Sequence, residues 1–212
     1  RVAFVNDIPR IEGLTKYSGF TRHDAIDYSM IGCNEIALPG GIIFGFDPLN
    51  ILRSIERTFY EYRDEVVKAG TFEDFMSIYK RVLFEDLWEA ESISHGLQNI
   101  RSRDINIVSS VFIDGCIERA ASITQGGASK YTAVGDLIGI PNVIDSLAIT
   151  KQFVYDEKLV CMDELCDALA ADWVGYEDLR RSILREGDFF GNDDDTSNGV
   201  ARLFTDALDE WN

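Results

Sequence analysis

The chain has 212 residues, of which 46% are hydrophobic and 27% are charged, a composition that favours a globular domain and excludes a disordered chain. Its formal net charge of −17 argues against binding to nucleic acid or to an anionic membrane surface, because both carry negative charge themselves. No apolar stretch approaches the roughly 20 residues that a membrane-spanning helix needs, so no membrane partner is expected.

The first forty residues predict short elements and tight turns. "RVAFVND" predicts a short buried strand that runs into a turn, and Thr21 is suited to cap a helix with acidic residues in its first turn. The next stretch, "YSMIGCNEIAL", is too short and too rich in glycine for a helix. The "PGG" that follows it predicts a sharp turn of the chain.

Two amphipathic helices are predicted next. The first starts at Pro48, because proline is tolerated in the first turn, and runs through Val66 until Gly70 ends it. The second follows Thr71, which with Asp74 three residues later forms a weak capping signal, and it extends past residue 90. Their aromatic stripes are more typical of a core than of a cofactor site.

Beyond residue 105 the pattern changes. "INIVSSVFIDGCIERAASIT" predicts a buried helix in which Cys116 is a small core residue, since free cysteine is often buried. "QGGASKYTAVGDLIGIP" predicts a loop with one strand, and it lacks the spacing of a phosphate-binding loop. Amphipathic helices are then predicted at 142–156, 162–173 and 176–185.

Metal binding is weakly indicated. Only two histidines are present, and His95 is expected at the surface or at a helix end. Three consecutive acids at 193–195 lack the alternating spacing and the closing glutamate of a calcium-binding EF-hand loop, which favours a loop that caps the last helix. No bound metal or cofactor is expected.

Four cysteines, Cys33, Cys116, Cys161 and Cys166, form no CxxC pair and are too sparse for a disulfide scaffold, which indicates a reducing, cytoplasmic environment. Cys33 has an unusual setting, between a glycine and "NE". If residues 31–36 form one extended run, Cys33 and Glu35 point to the same side about 7 Å apart. Two interpretations remain open: a thiol paired with a carboxylate for hydrogen-atom and proton transfer, or a buried structural cysteine beside a surface glutamate.

Several longer stretches carry a family resemblance. "FVNDIPRIEGLTKYSGFTRHDAIDYSMIGCNE" resembles the segment of the pyruvate formate-lyase-like glycyl radical enzymes in which a D-A-x-D-Y helix leads into a glycine-cysteine-x-glutamate finger. "GGASKYTAVGDLIGIPNVIDSLAITKQFVYDEK" is similar to the family's G-G-A-x-Y, G-x-x-N-V-x-D-S-L and V-x-D-E-K stretches. "YEDLRRSIL" and "FFGNDDD" resemble its Y-E-x-L-R and Y-G-N-D-D-D. The matches are colinear and cover nearly the whole chain.

The resemblance implies an α/β fold, a barrel of about ten strands wrapped in helices, of which this chain supplies a mostly helical piece with a few short strands. Residues 1–212 would form the central segment of the glycyl radical enzyme domain, with the cysteine finger loop at about 28–41. The chain opens on Arg1 rather than on methionine, and the C-terminal domain that carries the radical glycine would be absent. The piece alone is therefore expected to be inactive.

The resemblance also implies residue roles. Cys33 would carry the thiyl radical, and Glu35 would be the general acid/base in a radical elimination, by a dehydratase or by a C–N or C–S lyase, on a small polar substrate. The chain itself would bind no cofactor. The glycyl radical would be installed by a radical S-adenosylmethionine activating enzyme, the second partner besides the substrate, and the full-length protein would be a homodimer.

Two departures from the family pattern leave alternatives open. Pyruvate formate-lyase itself has two adjacent cysteines, whereas position 32 is glycine, which disfavours formate acetyltransferase activity. Asn34 stands where the family usually has valine or isoleucine, and this leaves the substrate undefined. An arylacetate decarboxylase and a noncatalytic folded fragment are the remaining alternatives.

Overall fold

The computed structural model of the chain describes residues 6–16, 18–31 and 35–211, and it leaves out the side chains of residues 44–48, 133 and 134. The described part is mostly helical with four short strands, as predicted. The strands are Ser29–Ile31 (β1), Glu35–Ala37 (β2), Ile42–Asn50 (β3) and Tyr131–Ile138 (β4). The α-helices are Asp7–Lys16 (α1), Arg22–Ile26 (α2), Leu52–Tyr60 (α3), Arg63–Val66 (α4), Phe72–Arg101 (α5), Ile107–Ser110 (α6), Ile140–Thr150 (α7), Met162–Ala170 (α8), Glu177–Glu186 (α9) and Asp195–Trp211 (α10). A 3-10 helix spans Ile123–Gln125, and a π-helix over Lys151–Asp156 continues α7.

The chain forms two compact units. The hairpin unit consists of Arg1–Asp47 and Ala90–Asp136, and the helical unit of Pro48–Glu89 and Leu137–Asn212. Two pairs of strands are present among the described residues: β1 pairs with β2, and β3 pairs with β4. The first pair is antiparallel.

The helical unit has one hydrophobic core. Helix α7 packs against α3 and α10, and α8 packs against α3 and α4. The largest fully buried side chains are Tyr79, Phe75, Phe153 and Phe204. The Phe75 ring lies 5.7 Å from the Phe59 ring and 6.3 Å from the Tyr155 ring, measured between centroids. Such aromatic pairs add to the stabilisation that burial of their area already gives.

Local capping explains where several helices begin. Thr71 and Asp74 form a reciprocal cap at the start of α5, since each backbone N–H donates to the other residue's side chain, at 3.2 and 3.1 Å. Asp194 accepts from the backbone N–H of Ser197 at 2.6 Å before α10, as the predicted capping loop requires. Cys161 caps α8 through its sulfur, which accepts from Glu164 N–H at 3.4 Å.

A buried carboxylate joins α3 to α5 in the helical unit. Asp86 is only 1% exposed, and it accepts hydrogen bonds from the Ser54 hydroxyl at 2.7 Å and from the Arg57 guanidinium at 2.6 Å. Arg57 also donates to Glu61 at 2.9 Å. Because the buried charge is paired and hydrogen-bonded, its desolvation is compensated.

The helix predicted from Pro48 starts later. Pro48 lies inside β3, and helix α3 begins only at Leu52 and ends at Tyr60. The cause is long-range: the N–H of Ile51 donates to the carbonyl of Ile138 at 3.1 Å, so strand pairing continues to the residue before the helix. The Asn50 side chain then accepts from Leu52 N–H at 3.1 Å.

The buried helix predicted over "INIVSSVFIDGCIERAASIT" is wrong. Within that stretch only α6 is α-helical, a short 3-10 helix begins at Ile123, and Phe112 in the turns between them is 77% exposed. Gly115 interrupts the pattern with φ +92°, where a Cβ would lie 2.9 Å from the Gly127 carbonyl oxygen. Cys116 is buried, as predicted.

Other predictions have mixed outcomes. Strand β4, the long helix α5, and helices α7, α8 and α9 lie where the sequence predicts them. The predicted strand "VAFV" lies outside the described residues. Helix α1, which follows it, was not predicted, because its apolar positions are few.

Candidate functional site

The candidate site is the hairpin of β1 and β2. Its strands are antiparallel, with Ser29 opposite Ala37, Met30 opposite Ile36 and Ile31 opposite Glu35. The connection between the strands is Gly32-Cys33-Asn34, three residues that lie outside the described part of the chain. A three-residue connection is among the common hairpin lengths.

The hairpin corrects one expectation. The pairing of Cys33 with Glu35 was argued on the condition that residues 31–36 form one extended run, but Ile31 and Glu35 are cross-strand partners in two antiparallel strands. Alternation along a single strand therefore cannot place Cys33 and Glu35 on one side. Their shared role stays a prediction, because the position of Cys33 lies outside the described residues.

Glu35 itself is described. It is the first residue of β2, half-buried, and two positions from Cys33 in the sequence. Its cross-strand partner Ile31 is 48% exposed. The carboxylate-bearing residue thus stands at the end of the hairpin where the cysteine-bearing connection attaches.

The predicted "PGG" turn is confirmed, and it leads from β2 to β3. The N–H of Gly41 donates to the carbonyl of Leu38 at 3.0 Å, and Gly40 has φ +69°. Pro39 in the second position and a glycine with positive φ in the third are typical of a type II turn. A side chain at Gly40 would also collide with the Asp114 carboxylate.

A small core lies beside the hairpin. Leu14 of α1, Ala25 of α2 and Leu38 after β2 are buried together, and Tyr28 and Ile36 pack against them. The Tyr28 hydroxyl donates to the Asp7 carboxylate at 2.5 Å, and this hydrogen bond raises the pKa of Tyr28 above its ordinary value. The residue before β1 and Ile36 of β2 are therefore tied to the preceding helices.

Helix α2, which precedes β1, is capped as predicted. Thr21 accepts from the backbone N–H of Asp24 at 3.1 Å, and its hydroxyl donates to the Asp24 carboxylate at 2.6 Å. The other Asp24 oxygen lies 3.0 Å from the Lys130 ammonium. The Thr21 hydrogen bond and then Lys130 hold the pKa of Asp24 below its usual value.

The segment 114–130 contacts the chain after the hairpin. The N–H of Asp114 donates to the carbonyl of Gly40 at 2.9 Å, and the carbonyl of Asp114 accepts from Ser129 N–H at 2.7 Å. The carbonyl of Lys130 accepts from Ile42 N–H at 3.0 Å. The sequence predicts neither these contacts nor the Lys130–Asp24 ion pair. The motifs that contain Asp24 and Lys130, "HDAIDY" and "GGASKY", are nevertheless both part of the family resemblance.

The described residues offer neither a cluster of metal ligands nor a membrane-spanning helix. They contain no group of three or more histidine, cysteine, aspartate or glutamate side chains that could hold a metal ion. His95 is 70% exposed on α5, with Glu91 3.8 Å away, in agreement with the predicted surface position. None of the described helices is both long enough and apolar enough to cross a membrane.

Comparison with known proteins gives concordant matches. The family described as "PFL-like: Pyruvate formate lyase-like" matches residues 1–210. The probable dehydratase YbiW of Escherichia coli is 30% identical, and the match covers 98% of this chain and 28% of YbiW. Isethionate sulfite-lyase of Desulfovibrio desulfuricans is 27% identical, over 87% of this chain and 24% of that enzyme.

A solved structure supports the same fold. Hydroxyproline dehydratase from Clostridioides difficile, with trans-4-hydroxy-L-proline bound, superposes with a TM-score of 0.87 at 24% identity, over all of this chain and 28% of the enzyme. The predicted fold, a mostly helical piece of that family's barrel, is confirmed. The chain spans about a quarter of the length of the relatives it matches.

Proposed function

The chain belongs to the pyruvate formate lyase-like family, and from that premise we propose that it is the segment of a glycyl radical enzyme that presents the catalytic cysteine and glutamate. In this proposal residues 1–212 act within a protein of the relatives' length, whose radical-bearing glycine lies in its C-terminal region. The observation that carries the proposal is the hairpin: Glu35 begins β2 directly after the connection that contains Cys33.

The glycyl radical, installed by a radical S-adenosylmethionine activating enzyme, supplies the unpaired electron for the reaction. The Cys33 thiol gives up its hydrogen atom to that radical, and its sulfur then takes a hydrogen atom from a substrate carbon. Glu35 transfers a proton between a substrate hydroxyl and the departing group as that group leaves the neighbouring carbon. At the end Cys33 gives this hydrogen atom to the product radical, and its sulfur takes back the hydrogen atom that the glycine had received, so the glycyl radical is restored and no net electron is consumed.

The reaction class follows from the relatives' names. One named relative is a probable dehydratase, one removes sulfite from isethionate, and one structure is a hydroxyproline dehydratase. We assign this chain to elimination from a small polar substrate, by loss of water or by cleavage of a C–S or C–N bond. Gly32 disfavours acyl transfer, since that reaction in the family uses a second adjacent cysteine.

The proposal is tested with Glu35→Gln in the full-length protein, activated without oxygen and supplied with trans-4-hydroxy-L-proline or isethionate. Glutamine keeps the shape of glutamate but cannot transfer a proton, so turnover of whichever substrate is accepted should fall about 100- to 10,000-fold. Deuterium from the solvent should still enter recovered substrate, because hydrogen abstraction does not need Glu35.

The matched control is Asn34→Val, which introduces a residue usual for the family one position away. It should leave turnover within a few-fold of the starting protein. Wild-type turnover in Glu35→Gln, or a loss in Asn34→Val as large as in Glu35→Gln, would refute the assigned role of Glu35.

A further inference from the structure

Lys130 contacts the chain on both sides of the β1–β2 hairpin. Its ammonium lies 3.0 Å from the carboxylate of Asp24, in the helix that precedes β1. Its main-chain carbonyl accepts from the N–H of Ile42 at 3.0 Å, at the residue where β3 begins after the hairpin. One residue therefore holds the segment that enters the hairpin and the segment that leaves it.

The Lys130 side chain meets a carboxylate that is already oriented. One Asp24 oxygen accepts from the Thr21 hydroxyl at 2.6 Å, which leaves the other oxygen for Lys130. The Asp24 side chain is only 27% exposed and the Lys130 side chain only 30%. An ion pair that is partly shielded from water and held by a second hydrogen bond is less screened than a free surface pair.

The segment around Lys130 is itself fixed to the turn after β2. Ser129, its neighbour, donates its N–H to the Asp114 carbonyl at 2.7 Å, and the Asp114 N–H donates to the Gly40 carbonyl at 2.9 Å. Main-chain hydrogen bonds constrain this side of the hairpin, whereas the Lys130–Asp24 ion pair is a side-chain contact on the other side. Substitution of Lys130 thus releases one side selectively.

We propose that Lys130 is a positioning residue, which through Asp24 sets where the β1–β2 hairpin places Glu35. The catalytic consequence rests on the proposed function. Because proton transfer requires near-contact geometry, a displacement of about 1 Å can cost roughly 100-fold in rate. In the full-length protein, Lys130→Met should lower kcat about 10- to 100-fold with little change in KM.

The structural part of the proposal is tested by amide hydrogen exchange in the full-length protein. Lys130→Met keeps the length of the side chain and removes its charge, so the amides of β1 and β2 should exchange about 10-fold faster or more. Lys130→Arg keeps the charge and should restore slow exchange. Exchange of the helical unit should not change in either variant.

The matched control is Lys151→Met in the helical unit. Lys151 lies 2.5 Å from the Asp156 carboxylate, and its side chain is 31% exposed, close to the 30% of Lys130. The control makes the same change in charge and should leave exchange of β1 and β2 unaltered. If Lys130→Met does not fold, Asp24→Asn tests the same ion pair while keeping an oxygen that can accept from Thr21.

The outcomes separate this proposal from the proposed function. Unchanged exchange of β1 and β2 in Lys130→Met, or faster exchange that Lys130→Arg does not restore, would overturn the positioning role. Exchange does not depend on chemistry, so wild-type turnover in Glu35→Gln would refute the radical elimination and leave the exchange result standing. A kcat equal to that of the starting protein, despite a loosened hairpin, would refute the catalytic consequence alone.

Discussion

The two units are stabilised in different ways. The helical unit buries aromatic and aliphatic side chains in a large core, in which Phe75 and Tyr79 have no exposed surface. The hairpin unit has a small cluster around Leu14, Ala25 and Leu38, and it exposes large apolar side chains in the segment after α5. Among the described residues, its hairpin is held by main-chain hydrogen bonds, by the Tyr28–Asp7 hydrogen bond and by the Lys130–Asp24 ion pair.

This difference distinguishes the helical unit, as a scaffold, from the hairpin unit, which contains the candidate site. Burial of apolar area stabilises a unit without regard to the direction of each contact, whereas hydrogen bonds fix groups at defined distances and angles. The helical unit is therefore suited to supply stability. The hairpin unit is suited to hold a short segment in one place, which the proposed proton and hydrogen-atom transfer would require.

The largest effect on stability is expected for Phe75→Ala. Phe75 is fully buried and contacts three aromatic rings, so its loss should lower the free energy of unfolding by about 3–5 kcal/mol. Phe112→Ala in the hairpin unit removes the same side chain at a position that is 77% exposed, and it should change stability by less than about 0.5 kcal/mol. Urea denaturation of both variants measures the contrast. Similar losses in the two would contradict the description of the segment after α5 as exposed.

A smaller effect is expected at alkaline pH. Burial raises the pKa of Cys166 from 9.0 to about 11, so between these values the unfolded chain loses a proton that the folded chain keeps. The stabilisation is complete below pH 9 and is lost as pH rises through 11, by roughly 1–3 kcal/mol. Unfolding experiments from pH 8 to 11 should show a shallower decline for Cys166→Ala.

Burial also raises the pKa of Tyr155, to about 12, so part of the decline remains in every variant. A decline in Cys166→Ala as steep as in the starting protein would show that the Cys166 thiol ionises without cost in the folded state.

The sequence predicted the helical unit better than the hairpin unit, and the reason is the range of the contacts. The caps at Thr71 and Asp194 and the apolar spacing of α5 are local signals, so a window of a few residues contains them. The late start of α3 is the exception within the helical unit, because it depends on Ile51 pairing with Ile138, which no local window contains. The helical pattern after residue 105 fails in the hairpin unit, where α6 ends at Ser110 and Gly115 has a positive φ and lies too close to Gly127 for a side chain.

The candidate site was predictable in composition and not in geometry. The residue types at Cys33 and Glu35 and the "PGG" turn are visible in the sequence. The reversal between Ile31 and Glu35 is not, because alternation with period two is the same in one strand or in two. The contact of Lys130 with Asp24 joins two motifs that lie about a hundred residues apart in the sequence, so no local pattern predicts it.

The central claim, that the hairpin presents a cysteine for radical chemistry, is tested most directly by Cys33→Ser in the full-length protein. After treatment with the activating enzyme, electron spin resonance should show the glycyl radical in the same amount as in the starting protein, while substrate turnover is abolished. The reason is that a hydroxyl hydrogen is bound too strongly for a carbon radical to remove. Turnover that persists in Cys33→Ser, with the radical present, would contradict the account.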